Sequence, residues 1–327
     1  MSPSRPILAV LIVFALASLF MAVSAVALSD SAWADLFDEE KEAEAARNEA
    51  GEQIEATTKA IEAIQMYQLF ITLLQMQQGD CSPAIEIEGK AKTGHAESQW
   101  MLADLHRTGL CVQMSKEKTA SWLGKAAEQG HSKAAYELGY IFLKGEGVTR
   151  SPRRAERLLQ GAAEKGDDRA ARLLARMHHD GDGIPQNTKV AVTWYERAIA
   201  LGSQMAAVDL ALMYLQGEVS GRPDADAAIR YARSAADKGE AFAQIIAALA
   251  LQTKPNRTRR DLIEAHKWAN LATAAEKQEI VDQAQTIRAD LENVLTSGSV
   301  ARATGSSILE ARVTDAAIAY PQTSPDS

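Results

Sequence analysis

The chain has 327 residues, a formal net charge of −8 from 35 basic and 43 acidic side chains, and a hydrophobic fraction of 46%. This balance is typical of a globular chain and excludes wholesale disorder. Two cysteines exclude a disulfide-dense miniature scaffold. The acidic balance argues against a nucleic-acid partner, which would need a basic surface.

The chain starts with an apolar segment. Arg5 precedes an uncharged run over residues 6–29, and small-x-small sites lie at 25–27 (Ala-Val-Ala) and 32–34 (Ala-Trp-Ala). These features predict a secretory signal peptide over residues 1–34 and a periplasmic or secreted protein. The apolar run is also long enough to cross a bilayer, so the alternative is an uncleaved anchor in the inner membrane, with the rest of the chain facing the periplasm.

Residues 35–94 are predicted to hold an acidic helix and a degenerate leading repeat. Nine acidic and two basic residues between positions 35 and 55 give this stretch a charge of −7. A solvated helix rich in Ala and Glu accounts for the composition, and a charged spacer is the alternative. Apolar residues at helical spacing follow within 56–93, with a turn and a helix cap at 79–83.

Several residue types recur along the chain with a period of 36 or 37 positions, and such a repeat decides the fold. The glycine series are Gly94, Gly130, Gly166, Gly202 and Gly239, and Gly109, Gly145, Gly181 and Gly217. An aromatic or leucine series is Trp122, Leu158, Trp194, Tyr231 and Trp268, and an alanine series is Ala126, Ala162, Ala198, Ala235 and Ala272. These series share one register, which indicates tandem units of about 36 residues.

Each unit is predicted to be a helix–turn–helix hairpin. Apolar positions three and four apart from Glu97 to Arg107 indicate an amphipathic first helix. A glycine of the Gly109 series ends it, because glycine readily adopts the left-handed conformation. The second helix begins after an N-cap, and the predicted caps are Ser115, Ser151, Asn187, Asp224 and Asp261. A hairpin of this kind buries its apolar side only against its neighbours, which predicts an all-α solenoid.

The units resemble Sel1-like repeats, which are relatives of the tetratricopeptide repeat. The resemblance is clearest from Ala134 to Gly166, at Leu138-Gly139, Phe142, Gly145-Glu146-Gly147-Val148 and Ala162-Ala163. It covers residues 95–297 and implies an α/α solenoid of helix–turn–helix repeats at 95–130, 131–166, 167–202, 203–239 and 240–277, with a C-terminal capping helix. In the first turn Cys111 replaces the second glycine, and in the fifth unit the turn glycines are absent. The tail, residues 298–327, is predicted to be disordered apart from a short helix near 307–313.

The resemblance implies a protein–protein interaction or scaffold protein that is not an enzyme and needs no cofactor. Solenoids of this type expose a concave face lined by first helices. Two stripes of candidate residues on that face are Trp100, Tyr136, Arg172 and Val208, and Asp104, Tyr140, Arg176 and Leu212. Because Trp, Tyr and Arg are enriched at interface hot spots, we predict that Trp100, Asp104, Tyr136, Tyr140, Arg172 and Arg176 contact a partner protein or peptide. The alternative is that the aromatic members pack between repeats.

Cys81 and Cys111 form an even pair in a chain predicted to be exported. A disulfide between them is the favoured interpretation, and two free or differently paired thiols are the alternative. Cys81 lies where the second helix of the leading unit would begin, and Cys111 lies in the turn of the next unit. The bond would therefore fasten the leading unit to the solenoid.

Two short motifs suggest other chemistry. His178-His179-Asp180 resembles a metal cluster, but His178 occupies a packing position of the repeat and no third ligand is near in sequence, so we predict no metal. Ser115-x-x-Lys118 and the Lys-Thr-Gly at 92–94 match parts of a serine β-lactamase signature in the wrong order. No catalytic residue is predicted, and a cell-wall-related hydrolase, such as a β-lactamase-like Sel1 repeat enzyme, is the alternative function.

Overall fold

The computed structural model describes residues 74–297 together with Gly51, Thr72 and Val313. The chain divides into two compact units, residues 1–74 and 75–327, and every helix named below belongs to the second. The predicted signal peptide or anchor and the acidic stretch at 35–55 lie outside the described residues, except Gly51, and so does the predicted disordered tail, except Val313. Within the described part of the chain, no helix has the length and apolar character needed to cross a membrane.

The second unit is built from helices joined by short turns. Over residues 75–297 the structure has no strand, which confirms the all-α prediction. The helices are α1 Ser82–Lys92, α2 Ala96–Thr108, α3 Lys116–Glu128, α4 Ser132–Lys144, α5 Pro152–Glu164, α6 Asp168–Asp180, α7 Thr188–Ala200, α8 Gln204–Gln216, α9 Ala225–Ala236, α10 Ala241–Thr253, α11 Arg259–Ala272 and α12 Gln278–Ser297.

Each helix packs chiefly on the helices next to it in sequence, which is the contact pattern of a solenoid. The pairs α2–α3, α4–α5, α6–α7, α8–α9 and α10–α11 are the five hairpins expected from the repeat. First helices also meet across repeats at the C-terminal end, where α8 contacts α10 and α10 contacts α12. Helix α12 therefore lies beside α10 as the first helix of a further unit would.

Small side chains let the two helices of a hairpin approach closely. The alanines at 126, 162, 198, 235 and 272 are all fully buried, as the sequence pattern indicates. The facing first helices carry a second small-residue series, which is Ala103, Gly139, Ala175, Ala211 and Ala248. At Gly139 a Cβ would lie 2.9 Å from Leu159 Cγ, so glycine permits this close contact without repacking.

Four of the five predicted caps of the second helices are correct. The side chains of Ser115, Asn187 and Asp224 each accept a hydrogen bond from the backbone N–H three residues on. Ser151 precedes Pro152, which fills the first helical position. The prediction of Asp261 as a cap was wrong, because Thr258 caps α11 and Asp261 is its reciprocal partner in a capping box. Helix α11 thus begins three residues before the expected position.

The second glycine of an inter-helix turn lies against the start of the second helix of the preceding repeat. A Cβ on Gly147 would lie 2.6 Å from the carbonyl carbon of Lys116, and a Cβ on Gly183 would lie 2.2 Å from Pro152 Cγ. Both glycines have positive φ, at 70° and 74°. The turn therefore needs glycine for its conformation and for the space.

Cys111 stands at this position in the first turn, and there the contact is covalent. The structure joins Cys111 to Cys81, the residue that precedes α1, with the two Cα atoms 5.4 Å apart. This is the disulfide predicted from the sequence. Cys111 has φ 61°, and it is the non-glycine residue with positive φ among those the structure describes. The bond thus fastens α1 to the turn after α2, at the place where later repeats pack glycine against a helix start.

Candidate interaction face

The candidate site is a stripe of side chains along the first helices, at the second, fifth and ninth positions of each. We call it the first-helix stripe. Its members are Glu97, Trp100 and Asp104 in α2, Lys133, Tyr136 and Tyr140 in α4, Arg169, Arg172 and Arg176 in α6, Met205, Val208 and Leu212 in α8, and Phe242, Ile245 and Leu249 in α10. Spacings of three and four place these positions on one side of each helix.

Trp100 links the first repeat to the second. Its indole N–H donates to Glu137 Oε1 at 2.8 Å, and its ring stacks on His131 with the ring centres 5.6 Å apart. Burial raises the pKa of Glu137, whereas the indole N–H favours its ionised form. Trp100 is half-buried, so part of the ring is open to a partner while the rest is fixed by the next repeat.

His131 has a structural role at the start of α4. Its Nδ1 accepts the backbone N–H of Ala134 at 3.1 Å and caps the helix. Since Nδ1 is an acceptor, the ring proton sits on Nε2, which lies 2.9 Å from Glu97 Oε2 and donates to it. That hydrogen bond lowers the pKa of Glu97. The stripe residue Glu97 is therefore also tied to the second repeat.

Tyr136 and Arg169 connect the second repeat to the third. The Arg169 guanidinium lies over the Tyr136 ring, 4.5 Å from its centre, and also bonds Asp167 at 3.1 Å. The Tyr136 ring is buried, with 8% of the residue exposed, and its burial raises the pKa of the phenol. The Tyr136 ring therefore packs between repeats, which was the alternative to partner binding. The exposed side chain at this point is Arg169, which lies over the ring.

Arg172 connects the third repeat to the fourth through an ion pair with Asp209. Arg172 Nε lies 2.6 Å from Asp209 Oδ2, and a second guanidinium nitrogen lies 3.3 Å from Oδ1. The two side chains are only 12% and 10% exposed, so the pair is nearly buried. This two-point geometry fixes the guanidinium in place.

The ninth positions of the stripe are less exposed than the second positions of the first three repeats, which are Glu97, Lys133 and Arg169. Asp104, Tyr140 and Arg176 are half-buried. Asp104 pairs with Arg107 one turn along α2 at 2.5 Å, and the Lys144 ammonium lies 5.6 Å from the centre of the Tyr140 ring. The six residues predicted to bind a partner therefore lie on one stripe, with the fifth positions held by the next repeat and the ninth positions half-buried.

The comparisons with known proteins agree with this architecture. The family profile described as "Sel1 repeat" matches residues 96–131, 132–167, 168–203 and 204–240. A Sel1 repeat protein from Oxalobacter formigenes has a similar structure, with a TM-score of 0.53, 26% identity, and coverage of 66% of this chain and 85% of that one. Residues 96–240 of this chain are four Sel1 repeats.

Two further solved structures are similar at lower scores. A putative Sel1 repeat protein from Klebsiella pneumoniae has 22% identity and a TM-score of 0.38, and the match covers 63% of this chain and 98% of that one. Protein c5321, a protective antigen of uropathogenic Escherichia coli, has 18% identity and a TM-score of 0.33, with coverage of 78% and 69%. A comparison with curated proteins finds no match.

Two acidic residues of these Sel1 repeats were not predicted from the sequence to take part in the stripe. Glu137 bonds to Trp100, and Asp209 bonds to Arg172. Each acid lies 37 positions after its partner and occupies the sixth position of a first helix. The acid appears where the preceding repeat offers a strong donor at its fifth position. Aligning the repeats and then looking for complementary residues one repeat apart would have found both pairs.

The two adjacent histidines lie at the end of α6 and serve different roles. His178 is half-buried with Nε2 3.6 Å from Glu156, and burial lowers its pKa. His179 Nδ1 lies 2.8 Å from Asp180 and its Nε2 lies 2.5 Å from Glu218 in the next repeat. Among the residues that the structure describes, no group of three or more His, Cys, Asp and Glu side chains could hold a metal ion.

Titration of His179 is expected to make folding depend on pH. Hydrogen bonds to Asp180 and then to Glu218 raise its pKa from 6.5 to about 9. Because the folded chain binds this proton more tightly than the unfolded chain, the stabilisation is complete below pH 6.5 and is lost as the pH rises through about 9. We expect the free energy of unfolding, measured by urea denaturation, to decline across this window.

His179→Gln should remove that part of the decline, because glutamine does not titrate. The matched control is Gln186→Ala, which removes a hydrogen bond to the His179 backbone carbonyl at the same helix end, 2.7 Å long, and removes no titrating group. This variant should keep the wild-type slope. Equal slopes for His179→Gln and the wild type would contradict the assignment.

The residues that match a serine β-lactamase signature are parts of helix ends. Ser115 Oγ accepts the backbone N–H of Lys118 at 3.2 Å and donates to Glu117 at 2.9 Å, so it acts as a cap. Lys92 pairs with Glu88 one turn earlier in α1, at 2.8 Å. These contacts give each motif a structural role and do not assemble a nucleophile with a base.

Proposed function

We propose that this protein is an exported scaffold that binds another protein or a peptide on the first-helix stripe of its first three repeats. The sequence predicts that these first-helix residues line a concave face. One observation carries the proposal: aromatic and charged side chains of the stripe are held in place by contacts with the next repeat, such as Trp100 with Glu137 and Arg172 with Asp209. Side chains fixed before binding lose less conformational entropy when a partner arrives.

The charges of the stripe define the partner it would suit. In the first repeat the stripe carries Glu97 and Asp104, whereas in the third it carries Arg169, Arg172 and Arg176. A partner that runs along the stripe would place acidic groups against the third repeat and basic groups against the first. Complementary charges of this kind set the orientation and the association rate more than the affinity.

Export is the second part of the proposal. Two observations support it, namely the apolar N-terminal segment with its small-x-small sites and the disulfide between Cys81 and Cys111. Structural disulfides persist in oxidising compartments such as the periplasm. Cleavage at the predicted site would give a mature chain that begins after residue 34, which N-terminal sequencing of the exported protein would reveal.

Site-specific photo-crosslinking tests the binding face. A photoreactive residue is placed at position 140 or 176 in the full chain, and the matched controls carry it at Arg153 or Arg197, exposed on the second helices α5 and α7. Irradiation of intact cells should give the same covalent adduct from both stripe positions and not from the controls. Tyr140→Ala should weaken capture of that adduct partner by about thirtyfold or more, as expected for a hot spot. Adducts from the second-helix positions alone would contradict the proposal.

A further inference from the structure

The first-helix stripe changes chemistry towards the C-terminal end of the solenoid. Its second position is Glu97, Lys133 and Arg169 in the first three repeats, and all three are exposed. In the fifth repeat the same position is Phe242, and only 1% of that residue is exposed. The ninth position changes in the same way, from half-buried polar residues to Leu249, which is fully buried.

Helix α10 is consequently buried on every side. Eleven consecutive residues from Phe242 to Gln252 are buried, and the stripe residues Phe242, Ile245 and Leu249 are among them. A helix that is apolar all round belongs in the interior of a protein. In a stack of hairpins, helices α8, α9, α11 and α12 account for the sides of α10, but they leave the stripe pointing away from the second helices. The near-complete burial of Phe242, Ile245 and Leu249 therefore indicates that a further segment covers the stripe of α10.

Val313 is the described residue of the chain beyond α12, and it lies in this apolar cluster. It is 6% exposed and belongs to the same group of buried side chains as Phe242, Ile245 and Leu249. Fifteen residues separate it from Ser297, the last residue of α12. An extended chain of that length spans up to about 50 Å, which is enough to return along the neighbouring helices.

The sequence around Val313 suits an apolar face. Leu309, Val313 and Ala317 are four positions apart, so a helix would place them in one row. The stripe offers matching aliphatic and aromatic surface at Met205 and Leu212 of α8, which are half-buried against the same cluster, and at Phe242 of α10.

We propose that the C-terminal segment around Val313, residues 307–318, docks on the first-helix stripe of α8 and α10 as an internal ligand. It covers the apolar end of the stripe and leaves the aromatic and charged end, in the first three repeats, open. This inference concerns a different part of the stripe from the proposed partner site and does not depend on that site being used.

Photo-crosslinking at position 313 tests the docking without weakening it. A photoreactive residue replaces Val313 in the full-length mature chain, and mass spectrometry locates the cross-links. We expect links to Met205, Leu212 and residues 242–249 within the same chain. Mixing isotope-labelled with unlabelled protein distinguishes a second copy as the occupant. Links between labelled and unlabelled chains, or links to the second helices only, would overturn the proposal.

The second test introduces a charged side chain at position 313 in the full chain and measures hydrogen exchange. Val313→Asp should lower the docking equilibrium about 10- to 100-fold, because it removes a buried apolar side chain and adds a carboxylate. Hydrogen exchange in residues 241–253 and binding of a hydrophobic dye should then increase, while the helical circular dichroism stays the same. Val300→Asp puts the same charge in the same tail and serves as the control. Equal exchange in the two variants would refute the docking.

Discussion

Replacing both cysteines by serine, Cys81→Ser with Cys111→Ser, is expected to lower the stability of α1 by roughly 3–4 kcal/mol, the loop-entropy value for a cross-link across 30 residues. The effect should be local, because in a solenoid each unit is stabilised mainly by its neighbours. Besides the disulfide, α1 is held by a small apolar cluster with α2. Hydrogen exchange of residues 82–92, compared between the protein with the disulfide intact and the protein with it reduced, measures the loss of α1 stability directly.

A second variant separates the cross-link from the backbone conformation. Cys81→Ser with Cys111→Gly also removes the disulfide, but it gives position 111 the residue that the later turns use at positive φ. We expect it to recover about 1 kcal/mol relative to the double-serine variant, since glycine adopts this conformation without cost from a Cβ. If reduction left the exchange of α1 unchanged, the disulfide would not be what holds the leading helix.

The repeat made most of the fold predictable from the sequence. Glycine is one of few residues that can end a helix in the left-handed conformation, so the Gly109 series marked where first helices stop. Alanine at each close crossing marked which sides of the helices meet. The start of α11 was mispredicted because Thr258 and Asp261 are both good caps, and the fixed period favoured Asp261. The glycine-free turn before α11 allowed the helix to start earlier.

The position of the candidate site was predictable from the sequence, but the role of each residue, packing or recognition, was less so. Helical spacing identified the stripe, but the same residue types serve packing and recognition. Tyr136 is buried beneath Arg169, whereas Tyr140, one turn along the same helix, is half-buried. That difference depends on which side chain the next repeat supplies. The sequence holds this information only as complementary pairs 33 to 37 positions apart.

Asp209→Ala is expected to destabilise the solenoid by about 3–5 kcal/mol, because it leaves the Arg172 guanidinium nearly buried without its carboxylate partner. The two hydrogen bonds at 2.6 and 3.3 Å join the third repeat to the fourth, so the loss falls on an interface between repeats. Chemical denaturation should show a lower midpoint, and the transition should broaden as the two parts of the solenoid unfold less cooperatively.

Two controls test whether the burial of the pair is the cause. Asp104→Ala breaks the exposed pair with Arg107 on the same face, at 2.5 Å, and should cost less than about 1 kcal/mol. Arg172→Met with Asp209→Leu replaces both buried charges by apolar groups and should restore most of the stability, because no charge is left unpaired. Equal losses for Asp209→Ala and Asp104→Ala would show that solvent screens the Arg172 pair as well. The stripe would then be held in place by its aromatic contacts, and the basic part of the proposed binding face would be free to rearrange around its partner.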